Sequence, residues 1–207
     1  MEACGISTNS EYMMVISSLA ERKGENSPLI EDLKITKGPR HSIVISVKET
    51  PIVGYRYDDR MELVLGDGTF VEFESKYIKQ LALLPMFMSM EEEKIIKAAK
   101  EMAKLELNTL IRISEVRDFA LSYDENMVKF VMDDTYRIYC PIDGITLVDN
   151  YLQIIKNSTS KYKCIHIESI NEVAIMRNCE ELETMYETYK NGGVLPIDNE
   201  KDDGKAE

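Results

Sequence analysis

Cys164-Ile165-His166 is the stretch of this chain closest to a catalytic arrangement. On a strand, residues two apart share a side, so a thiol would stand beside an imidazole. A cysteine nucleophile needs a base within hydrogen-bond reach. A partly buried thiol next to a surface histidine explains the same spacing without chemistry. As metal ligands the two fall short of the four donors of a closed zinc site. Glu92-Glu93-Lys94 fits the Glu-x-Lys half of a metal-dependent nuclease core, but it sits in a helix-like run and reads as a solvated helix end. Gly66-Asp67-Gly68 lacks the third glycine and the lysine of a phosphate loop. It reads as a turn. No catalytic, cofactor-binding or metal-binding residue is assigned, no cofactor is expected, and the chain is read as not an enzyme; a hydrolase or nuclease ranks last.

Bulk composition points the same way. The chain has 207 residues, 44% of them apolar, enough for a core without metal or disulfide. Acidic side chains outnumber basic ones 37 to 25, a net charge of −12. Such a surface lacks the basic footprint that nucleic-acid phosphates require. It suits protein partners, or simple solubility. No apolar run is long enough for a membrane span, and the N-terminus lacks the pattern of a signal peptide. Cys4, Cys140, Cys164 and Cys179 have no paired spacing and read as reduced thiols of a cytoplasmic or nuclear protein.

The elements follow from periodicity. Residues 10–21 suit a short helix, 23–40 a loop, and 41–47 a strand. Met61–Leu65 and Val71–Phe73 alternate around Asp67-Gly68, a tight-hairpin pair. A helix with Tyr77, Ile78, Leu81 and Ala82 on one face follows, stopped by Pro85. Residues 90–104 predict a helix. LELNTL suits a short strand, and Val116, Phe119, Ala120 and Tyr123 recur at helical spacing. MVKFVMDDTYRIYC reads as two strands, with helices at 143–156, 167–176 and 179–190. The acidic tail reads as disordered.

Residues 61–88, MELVLGDGTFVEFESKYIKQLALLPMFM, resemble the opening of the POZ fold in the branch of elongin C and the small adaptor of SCF ubiquitin ligases. Asp67-Gly68, Glu72, Lys79-Gln80 and Met86-Phe87-Met88 carry the resemblance. LVDNYLQI at 147–154 is similar to that family's Asn-Tyr-Leu signature. The resemblance implies an α+β, POZ-like fold, a small three-stranded sheet packed with helices, over residues 59–190. Residues 1–58 would be an N-terminal extension, 128–140 an extra hairpin, and 191–207 a tail.

It also implies a non-catalytic adaptor in a ubiquitin ligase, holding a cullin-like scaffold and an F-box-like substrate receptor. Asn150 and Tyr151 would face the scaffold. Ile170, Val173, Met176, Leu182, Met185 and Tyr186 would face the receptor. The family's tryptophan-containing tail is absent, and residues 1–58 have no counterpart. Those departures favour a second reading, a structural subunit of another assembly, such as chromosome or cell-division machinery.

Overall fold

The computed structural model describes residues 4–7, 10–75, 78–168 and 173–193. Tyr77, Ile170 and the acidic tail from 194 onward lie outside the described residues.

Helix α1 (Ser17–Gly24) packs on an antiparallel pair, β1 (Ile30–Lys37) and β2 (Ile43–Glu49). The expected loop at 23–40 therefore contains a strand. Leu33 and Ile35 alternate inward along β1 and meet Cys4, Ile6, Val15 and Ala20 in a small core.

The remaining strands are β3 (Ile52–Tyr57), β4 (Met61–Leu65), β5 (Phe70–Glu72), β6 (Met86–Met88), β7 (Ile113–Asp118), β8 (Met127–Met132), β9 (Arg137–Pro141), β10 (Cys164–Glu168) and β11 (Val173–Arg177). Among the described residues they form one nine-stranded sheet, ordered β11-β10-β9-β8-β7-β6-β3-β4-β5. The pairs β3/β6, β6/β7 and β9/β10 are parallel and the others antiparallel.

One face of this sheet carries α3 (Glu92–Met102), α4 (Leu107–Leu110), a 3-10 segment (Ile142–Asn150) and α5 (Tyr151–Asn157). Ile95, Ala98, Ala99 and Met102 of α3 pack with Val64, Phe87, Val116, Phe130, Ile138 and Ile165. The opposite face carries α6 (Cys179–Lys190). A short helix α2 (Ile78–Leu81) connects β5 to β6.

The expected three-stranded, POZ-like sheet is overturned by this architecture. The hairpin β4–β5 forms as read, but it is one edge of a much longer sheet. Met86–Met88, which closed the stretch carrying the resemblance, is the inner strand β6, with Phe87 buried. The run from Ser114, expected as a helix, begins with β7. A register shift between Ile113 and Glu115 turns both Ile113 and Val116 into the core. Buried residues three apart on a bulged strand mimic helical spacing. LELNTL, expected as a strand, contains α4, and 167–176, expected as a helix, contains most of β11 and the end of β10.

Glycine serves a close strand approach at Gly54 and a hairpin turn at Gly68. Gly54 lies where β3 meets β6, and a Cβ there would sit 2.5 Å from the Phe87 ring and 2.8 Å from the Pro85 carbonyl oxygen. Gly68 turns the β4–β5 hairpin with φ +91°, and a Cβ would sit 2.7 Å from Ile96 Cγ2 on α3. The turn is closed by Gly68 N–H donating to Leu65 O at 2.9 Å and Thr69 N–H to Asp67 Oδ1 at 2.8 Å. Gly68→Ala would meet both the positive φ and the α3 contact. It is expected to lower unfolding free energy by about 1–3 kcal/mol in denaturant titration, whereas Asp67→Asn, which keeps an acceptor at the turn, should cost about 0.5 kcal/mol or less.

Candidate functional site

Strands β8, β9 and β10 bury both faces, and their even and odd positions serve different cores. Met127, Tyr139 and Cys164 face α6, with Phe119, Leu121 and Leu182 completing the cluster. Helix α6 begins at Asn178, whose Oδ1 accepts from Glu180 N–H at 3.1 Å. That satisfies one of the orphan donors of the first turn. Its inner face lays Leu182, Met185 and Tyr186 on the sheet. The Phe119 ring stacks on Tyr186 at 5.1 Å and meets Tyr139 edge-on at 4.4 Å.

Two further ties hold α6 down. Cys164 of β10 is disulfide-bonded to Cys179 at the start of α6, with Cα atoms 5.3 Å apart. The expectation of four reduced thiols is thus corrected for this pair, which a strand and a helix bring together across 15 residues. Cys4 and Cys140 are free and buried. The pairing also removes Cys164 as a partner for His166, since a disulfide sulfur is no nucleophile.

The second tie is Glu183. Its carboxylate accepts from Lys129 Nζ at 2.8 Å and from Tyr139 O–H at 2.8 Å, with Arg137 Nη1 at 3.5 Å. Burial alone would raise the Glu183 pKa. The Lys129 and Tyr139 hydrogen bonds and the Lys129 charge override it and hold the carboxyl below its ordinary range. Tyr139 is pushed up in turn, first by burial and then by its bond to Glu183.

His166 sits directly across from Tyr139 and is 5% exposed, not on the surface as read from sequence. Burial first, then the nearby Arg177 charge, lower its pKa below 6.5, partly offset by Glu168. The imidazole is therefore neutral at physiological pH.

At the outer end of the sheet lies β11, which among the described residues pairs with β10 alone. Val173 and Ile175 are 42% and 37% exposed. On the α5 side, Leu147, Ile154, Ile167, Ala174 and Met176 line a groove of about 600 Å³. The opposite edge, β5, is three residues long, and its Glu72 is ion-paired to Arg60 at 3.1 Å. Short, charged edges discourage strand addition, while a longer apolar edge invites it.

The sequence-predicted residues fall on both sides of this edge. Asn150 is exposed and lines the groove with Met176. Val173 lies on the edge strand itself. Tyr151 is 1% exposed, its hydroxyl donating to Asp134 Oδ2 at 3.4 Å, so it is core. Burial, then Asp134, push its pKa up to about 12. Leu182 is buried under α6, and Met185 and Tyr186 are half-buried beside it. Ile170 lies outside the described residues. Sequence reading missed Ile175, Glu183 and Arg177. The alternation of VAIMR was the available signal for the first and last; Glu183 gave none. Among the described residues no three His, Cys, Asp or Glu side chains gather as a metal site would need, and no helix is long and apolar enough to cross a membrane.

Fold and site together define a sheet platform covered on both faces over its central strands, with one clamped helix and, among the described residues, an open edge at β11. No family model matches the chain. Over 166 residues, 79% of its length, it is 20% identical to the cell division protein DivIB of Erysipelothrix rhusiopathiae (strain Fujisawa). The chain spans 62% of that relative's length. Among solved structures it is similar to the major extracytoplasmic domain of the trans isomer of the bacterial cell division protein DivIB from Geobacillus stearothermophilus. That match has 19% identity and a TM-score of 0.43, and covers 54% of this chain and 99% of that one.

The similarity to a bacterial division protein, running over most of the chain, overturns the POZ-family resemblance, which rested on a common hairpin and a three-residue signature. With it fall the ubiquitin-ligase adaptor function and the cullin-like and F-box-like partners. The nuclear or cytoplasmic placement falls too, and the Cys164–Cys179 bridge speaks against it independently.

Two measurements check the clamp. Reducing the bridge, or replacing Cys164 and Cys179 together by alanine, is expected to cost about 3 kcal/mol in denaturant titration. The acid side has two steps. Both His166 and Glu183 have folded pKa values below their ordinary ones, so the unfolded chain binds more protons. Stability should decline as pH falls below 6.5, and decline again below 4.5. His166→Gln should flatten the upper step and Glu183→Gln the lower, read from melting temperature against pH.

Proposed function

We propose that this chain is a non-catalytic subunit of a bacterial cell-division assembly, working outside the cytoplasm and receiving a polypeptide partner along β11. The similarity to cell division protein DivIB over 79% of the chain carries the reading. It agrees with the second sequence-based reading, a structural subunit of another assembly.

Physical features support each part. A disulfide persists in oxidising surroundings and is rare in a reducing cytosol. The charged groups are spent on holding elements together: Glu183 clamps α6, and Lys94 bonds Asp118 and the Glu125 carbonyl oxygen. No convergent acid, base and nucleophile remain among the described residues. The open edge offers a ladder of main-chain groups flanked by exposed Val173 and Ile175, beside an apolar groove. Those are the parts an extended segment needs for affinity and for side-chain selectivity.

A fluorescent fusion of the full chain, expressed in the bacterium that encodes it, is expected to gather at the division plane. Replacing Val173 and Ile175 together by lysine should disperse it while the purified variant melts within a few degrees of the parent. Uniform distribution of the parent fusion through dividing cells would overturn the reading.

A further inference from the structure

The Cys164–Cys179 bridge joins two sulfurs in unequal surroundings. Cys164 on β10 is fully buried with Phe119, Leu121, Met127 and Tyr139, whereas Cys179, the first residue of α6, is half-buried at the margin of that cluster. Access helps decide which sulfur of a disulfide an incoming thiolate attacks, and here it favours Cys179. The inner sulfur has a place to go once released. Cys164 Sγ lies 3.6 Å from the Tyr139 hydroxyl oxygen. In the bridge that sulfur carries no proton. As a thiol it donates, weakly, to the Tyr139 oxygen, while the Tyr139 O–H donates to Glu183 at 2.8 Å. The chain's other two thiols stand apart. Cys140 faces the core beneath α3, Cys4 lies in the N-terminal core, and both are buried. Neither is placed to capture a freed sulfur, so reoxidation returns the same pair.

We infer that the bridge is a redox latch on α6: a dithiol of the Cys-x-x-Cys kind opens it through Cys179, and the reduced chain releases α6 from the sheet while the rest of the fold stays closed. The inference does not rest on the division reading. One thiolate of the dithiol attacks Cys179 Sγ and forms a mixed disulfide. The Cys164–Cys179 bond breaks, and the Cys164 sulfur leaves with the electron pair and takes up a proton. The second thiol, deprotonated, then attacks the dithiol's own sulfur in the mixed disulfide. The Cys179 thiolate is freed and protonated, and the dithiol departs as a disulfide, so two electrons and two protons have passed to the bridge. What the latch holds is weakly held otherwise. Asn178 alone separates Arg177 at the end of β11 from Cys179. Beyond it only Leu182 is fully buried in α6, with Met185 and Tyr186 half-buried. The side-chain ties are Glu183 to Lys129 and Tyr139, Tyr186 O–H to Asp118 Oδ2 at 3.4 Å and Tyr189 O–H to Glu125 Oε1 at 3.2 Å. None of these is fully buried. Helix α3 buries Ile95, Ala98, Ala99 and Met102 and needs no bridge. Elements with few buried apolar contacts open first, and cutting a bridge across 15 residues frees the weaker one. Release uncovers Phe119, Leu121, Met127 and Tyr139, an apolar face that the oxidised chain keeps under α6.

Hydrogen exchange read by mass spectrometry tests the latch on the full chain in three states: oxidised, reduced with dithiothreitol, and reoxidised with glutathione disulfide. On reduction, peptides from α6 are expected to exchange about tenfold to a hundredfold faster. Peptides from α3 and β8 should keep their rates, and reoxidation should restore protection to α6. The variant carrying both Cys164→Ala and Cys179→Ala should show the reduced pattern and ignore dithiothreitol. A brief pulse of reduced glutathione, quenched in acid and mapped by peptide mass, should leave its adduct on Cys179. Equal exchange in the oxidised and reduced chains would mean that α6 needs no bridge. Acceleration of α3 and β8 together with α6 would make the bridge a staple of the whole fold. Either result would overturn the latch, as would protection that does not return on reoxidation or a glutathione adduct on Cys164 in place of Cys179.

Discussion

Burial on both faces of β8, β9 and β10 is the constraint that places everything else. Phe130, Ile138 and Ile165 look into the core beneath α3 and the 3-10 segment, while Met127, Tyr139 and Cys164 look toward α6. A strand buried on two sides cannot slip by one residue without exchanging its two cores. That locks the register of the central strands. It also requires a cover on each face, and the chain supplies α3 and α5 on one and α6 on the other. Loss of either cover would expose Phe119 and Tyr139, or Phe130 and Ile138, to water, each worth about 1.5–3 kcal/mol of burial.

The two covers are secured differently. Helix α3 is held by its own apolar stripe, Ile95, Ala98, Ala99 and Met102. Among the residues of α6, only Leu182 is fully buried, so packing alone is a weak anchor. The Cys164–Cys179 bridge and the Glu183 bonds to Lys129 and Tyr139 compensate at two points of that helix. Because Glu183 is partly buried and paired to a cation, it remains charged where an isolated buried carboxyl would protonate. Covalent and ionic ties thus replace hydrophobic area near the end of the sheet, and among the described residues the last strand, β11, has no partner beyond them.

An open sheet must have two edges, and this one treats them unequally. The β5 edge is short and bears the Arg60–Glu72 pair. The β11 edge is longer, apolar at Val173 and Ile175, and flanked by a groove on one face and by buried unpaired nitrogens on the other. Among the described residues, His166 Nδ1, Arg177 Nε, an apolar groove and a row of main-chain groups converge there.

Local signals in the sequence determined what local physics controls. The Asp67-Gly68 turn, the amphipathic α3, the β8–β9 alternation and α6 with its Asn178 start are each decided within a few residues by positive φ, helical periodicity or capping. The resemblance built on that hairpin failed because a tight turn between two strands says nothing about how many strands lie beyond it. Tertiary structure decided the rest. The bulge in β7 put Ile113 and Val116 on one face, making a strand look helical. The parallel pairing of β9 with β10 set His166 across from Tyr139, and the return of β11 brought Arg177 beside it. Cys164 found Cys179 only once α6 crossed the sheet. Each of these is a contact between segments whose spacing along the chain carries no period, so it becomes visible only when the sheet is assembled.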